Sequence, residues 1–368
     1  MLNLTGKVII LKRLLSLVLA IVMIFTVASF SVYAENTTLT ATQKNILKMQ
    51  RLDADKDGTY TTGDVSSVLE AAAGIVEDGD SEDYDINGDG YVSLRDAMVT
   101  LDAVTDVAPV VTQEELLAIF NERINSVKKN LPGFTRREIL THSSVKVTTV
   151  NPPNDAFRAT NLEYPDYVNQ IDETMHKLPF SVLLNAEMEA AIKDMKAYGE
   201  NLYKPRSQSV AVGKGSDYED EHIALFAVGG LSWSSNLTIN DIKSISYTMT
   251  GGRIYITITM KDYSYVGDAY PTGAAGLNGR ARLPYGKAFN LPDFDESDGS
   301  TLKSVSLSNG KIDFQMDYKT SDVLRVEYTF NYVSDIKSPP DKDLDDFELH
   351  TKSTAESVER YVVNRVTQ

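Results

Sequence analysis

The sequence predicts an α+β protein: a small all-α module carrying two acidic loops, followed by an antiparallel β-meander sheet packed on helices. Three observations lead there. Two acidic loops of one design lie close together, each followed by apolar residues at helical spacing. From Ile245 to Tyr332 the apolar residues instead recur at every second position, the period of a half-buried strand. Two amphipathic helical patterns, at 113–130 and 181–198, are available to cover the apolar face of that sheet.

The first loop reads Asp53, Asp55, Asp57, Gly58 and Asp64, and the second Asp85, Asn87, Asp89, Gly90 and Asp96, with the two starting 32 residues apart. Both fit D-x-[DN]-x-D-G-x5-D, the spacing that calcium chemistry asks for. Calcium is a hard ion that takes about six to eight oxygens at roughly 2.3–2.6 Å. Positions 1, 3 and 5 of such a loop supply side-chain oxygens, and position 7 a backbone carbonyl, here Thr59 and Tyr91. Position 6 turns the chain sharply enough to favour glycine. Position 9, Thr61 or Ser93, acts through water, and position 12, Asp64 or Asp96, closes the shell. Magnesium wants a smaller octahedron and keeps its water, so two Ca2+ ions are the expected cofactors.

After Asp64 come Val65, Val68, Leu69 and Ala72, and after Asp96 come Ala97, Leu101 and Val104, so each loop leads into a helix. Glu77–Tyr84, before the second loop, is polar and acidic with no helical pattern. Loop then helix, twice, with aspartate rather than glutamate at position 12, resembles the dockerin family over roughly Leu52–Val107. That resemblance implies a calcium-folded module that docks on a cohesin domain of a scaffold protein, as in a cellulosome. Family members that bind the best-known cohesins carry a Ser/Thr pair at loop positions 10 and 11. This chain has Thr62–Gly63 and Leu94–Arg95 there, and Leu69–Glu70 and Leu101–Asp102 where a Lys-Arg pair often follows. Those four loop positions are the expected partner-binding residues. An ordinary EF-hand pair is the alternative, with Gln43–Arg51 as an entering helix for the first loop.

Residues 1–34 read as a secretory signal: Lys7, Lys12 and Arg13, then the apolar Leu14–Val27, then small residues up to Ala34. The apolar stretch is short of the ~20 residues a membrane span needs. A secreted or extracellular protein, held in a cell-surface complex, is the corresponding expectation, with no membrane span after cleavage. There is no cysteine, so neither a disulfide nor a lipid-modified cysteine anchor can form. The net charge of −16 argues against a nucleic-acid partner, which needs clustered Lys and Arg. Residues 35–108 hold 16 acidic and 5 basic residues, so the acid is concentrated where cations are to be caged. The expected division is 1–34 signal, 35–108 dockerin-like calcium module and 109–368 a large α+β domain, with the boundary at Asp106–Val111 beside Pro109.

In the large domain Thr112 and Glu115 form a capping box ahead of Leu116, Leu117, Phe120, Ile124 and Val127. Ile139–Val150 reads as extended and Pro152-Pro153 breaks it. Ser181–Tyr198 carries a stripe of Leu184, Met188, Ala191, Met195 and Tyr198, read as core filler. Leu237-Thr238…Asp241-Ile242-Lys243 then opens the alternating region. Gly251-Gly252 and Asn309-Gly310 read as hairpin turns and Lys319–Asp322 as a third turn, giving at least five strands. A Gly- and Tyr-rich insertion, Tyr263–Tyr285, interrupts them, and its Tyr263, Tyr265, Tyr270 and Tyr285 suit either packing on the sheet or a binding surface. Ser353 and Glu356 form a second capping box, which predicts a final helix.

Catalytic signals are sparse. No G-x-S-x-G, H-E-x-x-H or P-loop occurs, Gly213-Lys214-Gly215 is too short to cradle a phosphate, and Asp217–His222 lacks metal-ligand spacing. A carboxylate pair for glycoside hydrolysis leaves no trace in a sequence. The leading expectation is therefore a docking protein with the large domain as cargo, whose ligand, a glycan or an apolar molecule, stays open. A glycan-active hydrolase or esterase of such a complex is one alternative, and a calcium-stabilised adhesion or ligand-binding protein is another.

Overall fold

The computed structural model describes residues 39–76, 81–105, 109–130, 132–177, 186–203, 206–215, 235–267, 285–287, 299–342 and 346–363. Residues 1–34, read above as a secretory signal, and Asp217–His222, Tyr270 and Leu184 lie outside them. The chain divides into Met1–Lys44 and the compact unit Asn45–Gln368. In the first, Thr40 and Gln43 cap one another: the Thr40 N–H donates to Gln43 Oε1 at 2.8 Å, and the Gln43 N–H to Thr40 Oγ1 at 3.1 Å. That opens helix α1, Ala41–Arg51.

The loop region continues with α2 (Thr62–Ala72), the single turn α3 (Ser81–Tyr84) and α4 (Leu94–Val104). The turn of helix at Ser81–Tyr84 falls where no helical pattern was expected. Leu52, Ala54, Val68, Ile86 and Ala97 form a small core between these elements.

The larger part is α+β, as expected. Helix α5 (Gln113–Asn130) starts at the anticipated capping box, with the Thr112 N–H on Glu115 Oε2 at 2.8 Å and the Glu115 N–H on Thr112 Oγ1 at 3.2 Å. The strands are β1 (Phe134–Val150), β2 (Leu162–Glu163), β3 (Arg206–Val212), β4 (Ile242–Thr250), β5 (Arg253–Met260), β6 (Tyr263–Val266), β7 (Thr301–Asp317), β8 (Val323–Lys337) and β9 (Glu348–Val363). Their order is β2-β1-β9-β8-β7-β5-β4, with β3 beside the start of β1 and β6 beside the start of β7, and every pairing is antiparallel.

One face of this sheet is buried. Ile254, Ile256, Ile258 and Met260 of β5, Ile312, Phe314 and Met316 of β7, and Val326, Tyr328 and Phe330 of β8 pack with Leu116, Phe120 and Ile124 of α5. Phe120 meets Phe314 edge-on at 5.5 Å between ring centres. Ile46 and Met49 of α1 belong to this core too.

Over Val145 and Val147 of β1 lies a helix the periodicity argument passed over, α6 (Tyr164–Lys177), which buries Tyr164, Tyr167, Val168 and Ile171. Its sequence signal was a proline in the first turn, Pro165, followed by that apolar stripe. Helix α7 (Ala186–Tyr203) overlaps the expected 181–198 over 186–198 and runs on to Tyr203, while 181–185 lie outside the described residues. Ile192 is buried, whereas Met188 and Ala191 of the expected stripe are exposed and Met195 is half-buried.

Two turn-and-cap readings are corrected. Asn309-Gly310 is not a hairpin: β7 runs through it for 17 residues, with Asn309 at φ +54° and a register shift between Ser308 and Lys311. It is a β-bulge. The reason lies in Tyr285, fully buried, whose hydroxyl accepts from the Gly310 N–H at 3.2 Å. A Cβ at Gly310 would stand 2.6 Å from that ring. Burial pushes the Tyr285 phenol up to about 12. Tyr285 is thus core rather than binding surface, and Tyr263 packs on the same cluster. Gly310→Ala should cost about 1–3 kcal/mol by forcing the ring aside; an unchanged denaturant midpoint would contradict this packing.

The Ser353–Glu356 segment is likewise not a helix but part of β9, paired along its length with β1 and β8. A capping box stabilises a helix start by about 1 kcal/mol, less than two strand edges offer a segment rich in Thr and Val. By contrast the Gly251-Gly252 turn forms as expected, with φ +58° and +70°. The Thr238–Asp241 opener is a local turn, in which Asp241 Oδ2 accepts from the Thr238 N–H at 2.9 Å and from its hydroxyl at 2.7 Å. Gly213–Gly215 is a loop.

Candidate metal centre

The two acidic loops are wired alike. Position 1 accepts from the amide of position 6: the Gly58 N–H on Asp53 at 3.1 Å, and the Gly90 N–H on Asp85 at 2.9 Å. Position 3 accepts from position 5, the Asp57 N–H on Asp55 at 3.0 Å and the Asp89 N–H on Asn87 at 2.8 Å. Position 5 accepts from position 7, the Thr59 N–H on Asp57 at 2.7 Å and the Tyr91 N–H on Asp89 at 3.0 Å. These bonds fix side-chain oxygens against the backbone, and the Gly58 N–H reaches both oxygens of Asp53.

Position 12 ties the loop shut. Asp64 accepts from the Asp55 N–H at 3.2 Å and the Thr61 N–H at 2.6 Å; Asp96 accepts from the Asn87 N–H at 3.0 Å and the Ser93 N–H at 2.8 Å. Both aspartates are fully buried. They are also the third helical residues of α2 and α4, so each completes a capping box with Thr61 or Ser93 at the N-cap. The expectation for position 9 was a water-mediated ligand. Its hydroxyl also accepts from the amide two residues on, Gly63 at 3.0 Å or Arg95 at 3.2 Å, and keeps a second lone pair for a water. One aspartate thus starts the helix and closes the loop, a double use that the D-x-[DN]-x-D-G-x5-D pattern does not reveal.

Glycines at position 6 have φ +89° at Gly58 and +90° at Gly90, as the turn requires. Position 4 is left-handed as well, Gly88 at +77° and Lys56 at +61°. In the first loop Asp53, Asp55 and Asp57 each offer a carboxylate oxygen within 4.8 Å of the others, a cluster able to hold a metal ion. Burial, with Asp55 and Asp57 adding repulsion, holds the Asp53 carboxyl above its usual range, and burial does the same for Asp64. In the second loop the Asn87 Nδ2 is buried without a hydrogen-bond partner.

The expected partner-binding positions divide. Thr62, Leu94 and Arg95 are exposed. Gly63 is set by its own loop, since a Cβ there would lie 3.1 Å from Asp55 Oδ2 and Thr61 Oγ1. Leu94, 63% exposed, lines up with Met98, 58% exposed, and Leu101 at helical spacing along α4, and Tyr91 precedes them at 77%. The inner side of the same helix carries the buried Asp96, Ala97 and Thr100, with Val99 and Ala103 partly buried on the small core. Its largest apolar residues therefore face outward. The histidines with described side chains contact carboxylates within their own elements, His176 with Asp172 and His350 with Glu348. No family model, curated protein or solved structure matches this chain.

Proposed function

We propose that this is a secreted calcium-binding docking protein, whose duplicated loop–helix module holds two Ca2+ ions and engages a cohesin-type domain of a polysaccharide-degrading scaffold. The observation that carries the reading is the hydrogen-bond wiring that the two loops share at positions 1, 3, 5 and 12. An oxygen that accepts one N–H keeps a second lone pair for a cation, and aspartate at position 12 follows the dockerin pattern. The outward apolar row on α4 supports the docking half of the reading. Exposed apolar rows of this size mark interaction surfaces more often than idle ones.

Isothermal titration of the full chain should find two calcium sites, and Asp57→Ala or Asp89→Ala should each leave one. A heat signal indifferent to both substitutions would show that the ions bind elsewhere. Binding to a panel of immobilised cohesins should vanish with chelator. Leu94→Ala with Arg95→Ala should weaken it by about 2 kcal/mol or more, as for the central residues of an interface. Thr62→Ala should cost much less, because Leu94, Met98 and Leu101 offer an apolar row, whereas the first repeat's helix exposes only Leu69 among its large apolar residues. Equal losses from both repeats would overturn this asymmetry.

A further inference from the structure

The two loops have different surroundings. Around the second, Gly90 has open space and Tyr91 is exposed. The first is pressed against two turns of the sheet. Gly252, in the β4–β5 turn, donates its N–H to the Gly58 carbonyl at 3.0 Å. Gly251 donates to Thr59 Oγ1 at 3.2 Å, and Thr59 Oγ1 stands 3.4 Å from Thr250 Oγ1. A Cβ at Gly58 would lie 2.6 Å from the Gly252 nitrogen, so the contact admits glycine alone. Tyr60 meets Tyr247 edge-on at 6.1 Å.

From the β7–β8 turn, the Tyr318 carbonyl accepts from Gln50 Nε2 and the Tyr318 phenol faces the Asp53 carboxylate. A cleft of about 310 Å³ runs between this turn and the loop, lined among others by Asp53, Lys56, Tyr318 and Lys319.

We infer that the sheet acts as a positioning platform for the first metal loop, so that cation binding at Asp53–Asp64 and docking of that loop on Gly251–Gly252 and Tyr318 strengthen one another. This rests on the reading of the loops as calcium sites. Docking and metal binding order the same backbone, and ordering costs about 1–2 kcal/mol per residue. Whichever comes first removes part of that cost for the other, and the gain is reciprocal. Asp53 belongs to both arrangements: its carboxylate accepts from the Gly58 N–H and lines the cleft with Tyr318 of the sheet. The second loop binds its ion without such help.

The test uses calcium alone as ligand and the full chain. In an Asp89→Ala background, where the first loop reports by itself, Tyr318→Phe with Gln50→Ala should weaken calcium binding about tenfold, equivalent to about 1.4 kcal/mol. In an Asp57→Ala background, where the second loop reports, the same pair should change nothing. Neither Tyr318 nor Gln50 is a ligand, and both substitutions leave the packing volume of the sheet intact. Calcium should also slow hydrogen exchange of the Gly252 amide in the unsubstituted chain. An unchanged affinity in the first background, or equal loss in both, would overturn the coupling. Absence of any calcium binding to the unsubstituted chain would instead overturn the reading of the loops.

Discussion

Met49→Ala should destabilise the protein by about 2–5 kcal/mol, the cost of emptying a large apolar side chain from a core that cannot fully collapse. Met49 is fully buried, and it lies in one cluster with Ile245, Met249, Ile254 and Phe314 of the sheet rather than with Leu52 and Val68 of the loop region. The last turns of α1 therefore serve two cores. Met49 and Ile46 plug the sheet, while Leu52, at the start of the first loop, anchors the small core. A fragment starting at residue 109 would lack both plugs and should melt below the full chain. Met98→Ala is the control, since Met98 is 58% exposed and surface changes of this kind stay within about 0.5 kcal/mol. Denaturant unfolding followed by circular dichroism compares the two. A loss at Met49 no larger than at Met98 would mean that α1 is not part of the sheet's core.

Much of the site was legible because its determinants are local. The ligand spacing, the glycine at position 6 and the helix after each loop all lie within twelve residues, and the sequence alone carries them. The same holds for α5, whose capping box and apolar stripe adjoin, and for the Gly251-Gly252 turn. What was missed depends on distant partners. Asn309-Gly310 has the conformational freedom of a hairpin turn, and only Tyr285, 25 residues away, makes it a bulge. Ser353 and Glu356 carry a helix signal that loses to the edges of β1 and β8. Tyr318 looked like a strand residue before a turn, and nothing near it announces that its phenol meets Asp53, 265 positions earlier. A contact between elements far apart in the chain has no periodicity to read.

Adding calcium to the chelated full chain should raise its stability by about 2.7 kcal/mol per site when free calcium stands at a hundred times Kd, and by about 4.1 kcal/mol at a thousand times. The gain should depend on pH, with a sign fixed by Asp53 and Asp64. Folding raises both carboxyl pKa values, chiefly by burial, above the ordinary 3.8. Their contribution to the stability of the empty protein is therefore fully present below the unfolded value. It is lost as pH rises through the folded one, leaving buried, mutually repelling carboxylates at neutral pH. Calcium needs those same carboxylates ionised, so its binding strengthens over the interval in which the empty loops become unfavourable. The rise in melting temperature on adding calcium should accordingly be larger near neutral pH than at about pH 4, where ordinary aspartates are half-protonated. Asp64→Asn should shrink the neutral-pH rise, because the amide keeps an oxygen for only one of the Thr61 and Asp55 N–H groups, which Asp64 holds on separate oxygens, and brings no charge to the ion. A calcium-induced rise of equal size at both pH values would mean that the ion is held by groups other than these two aspartates.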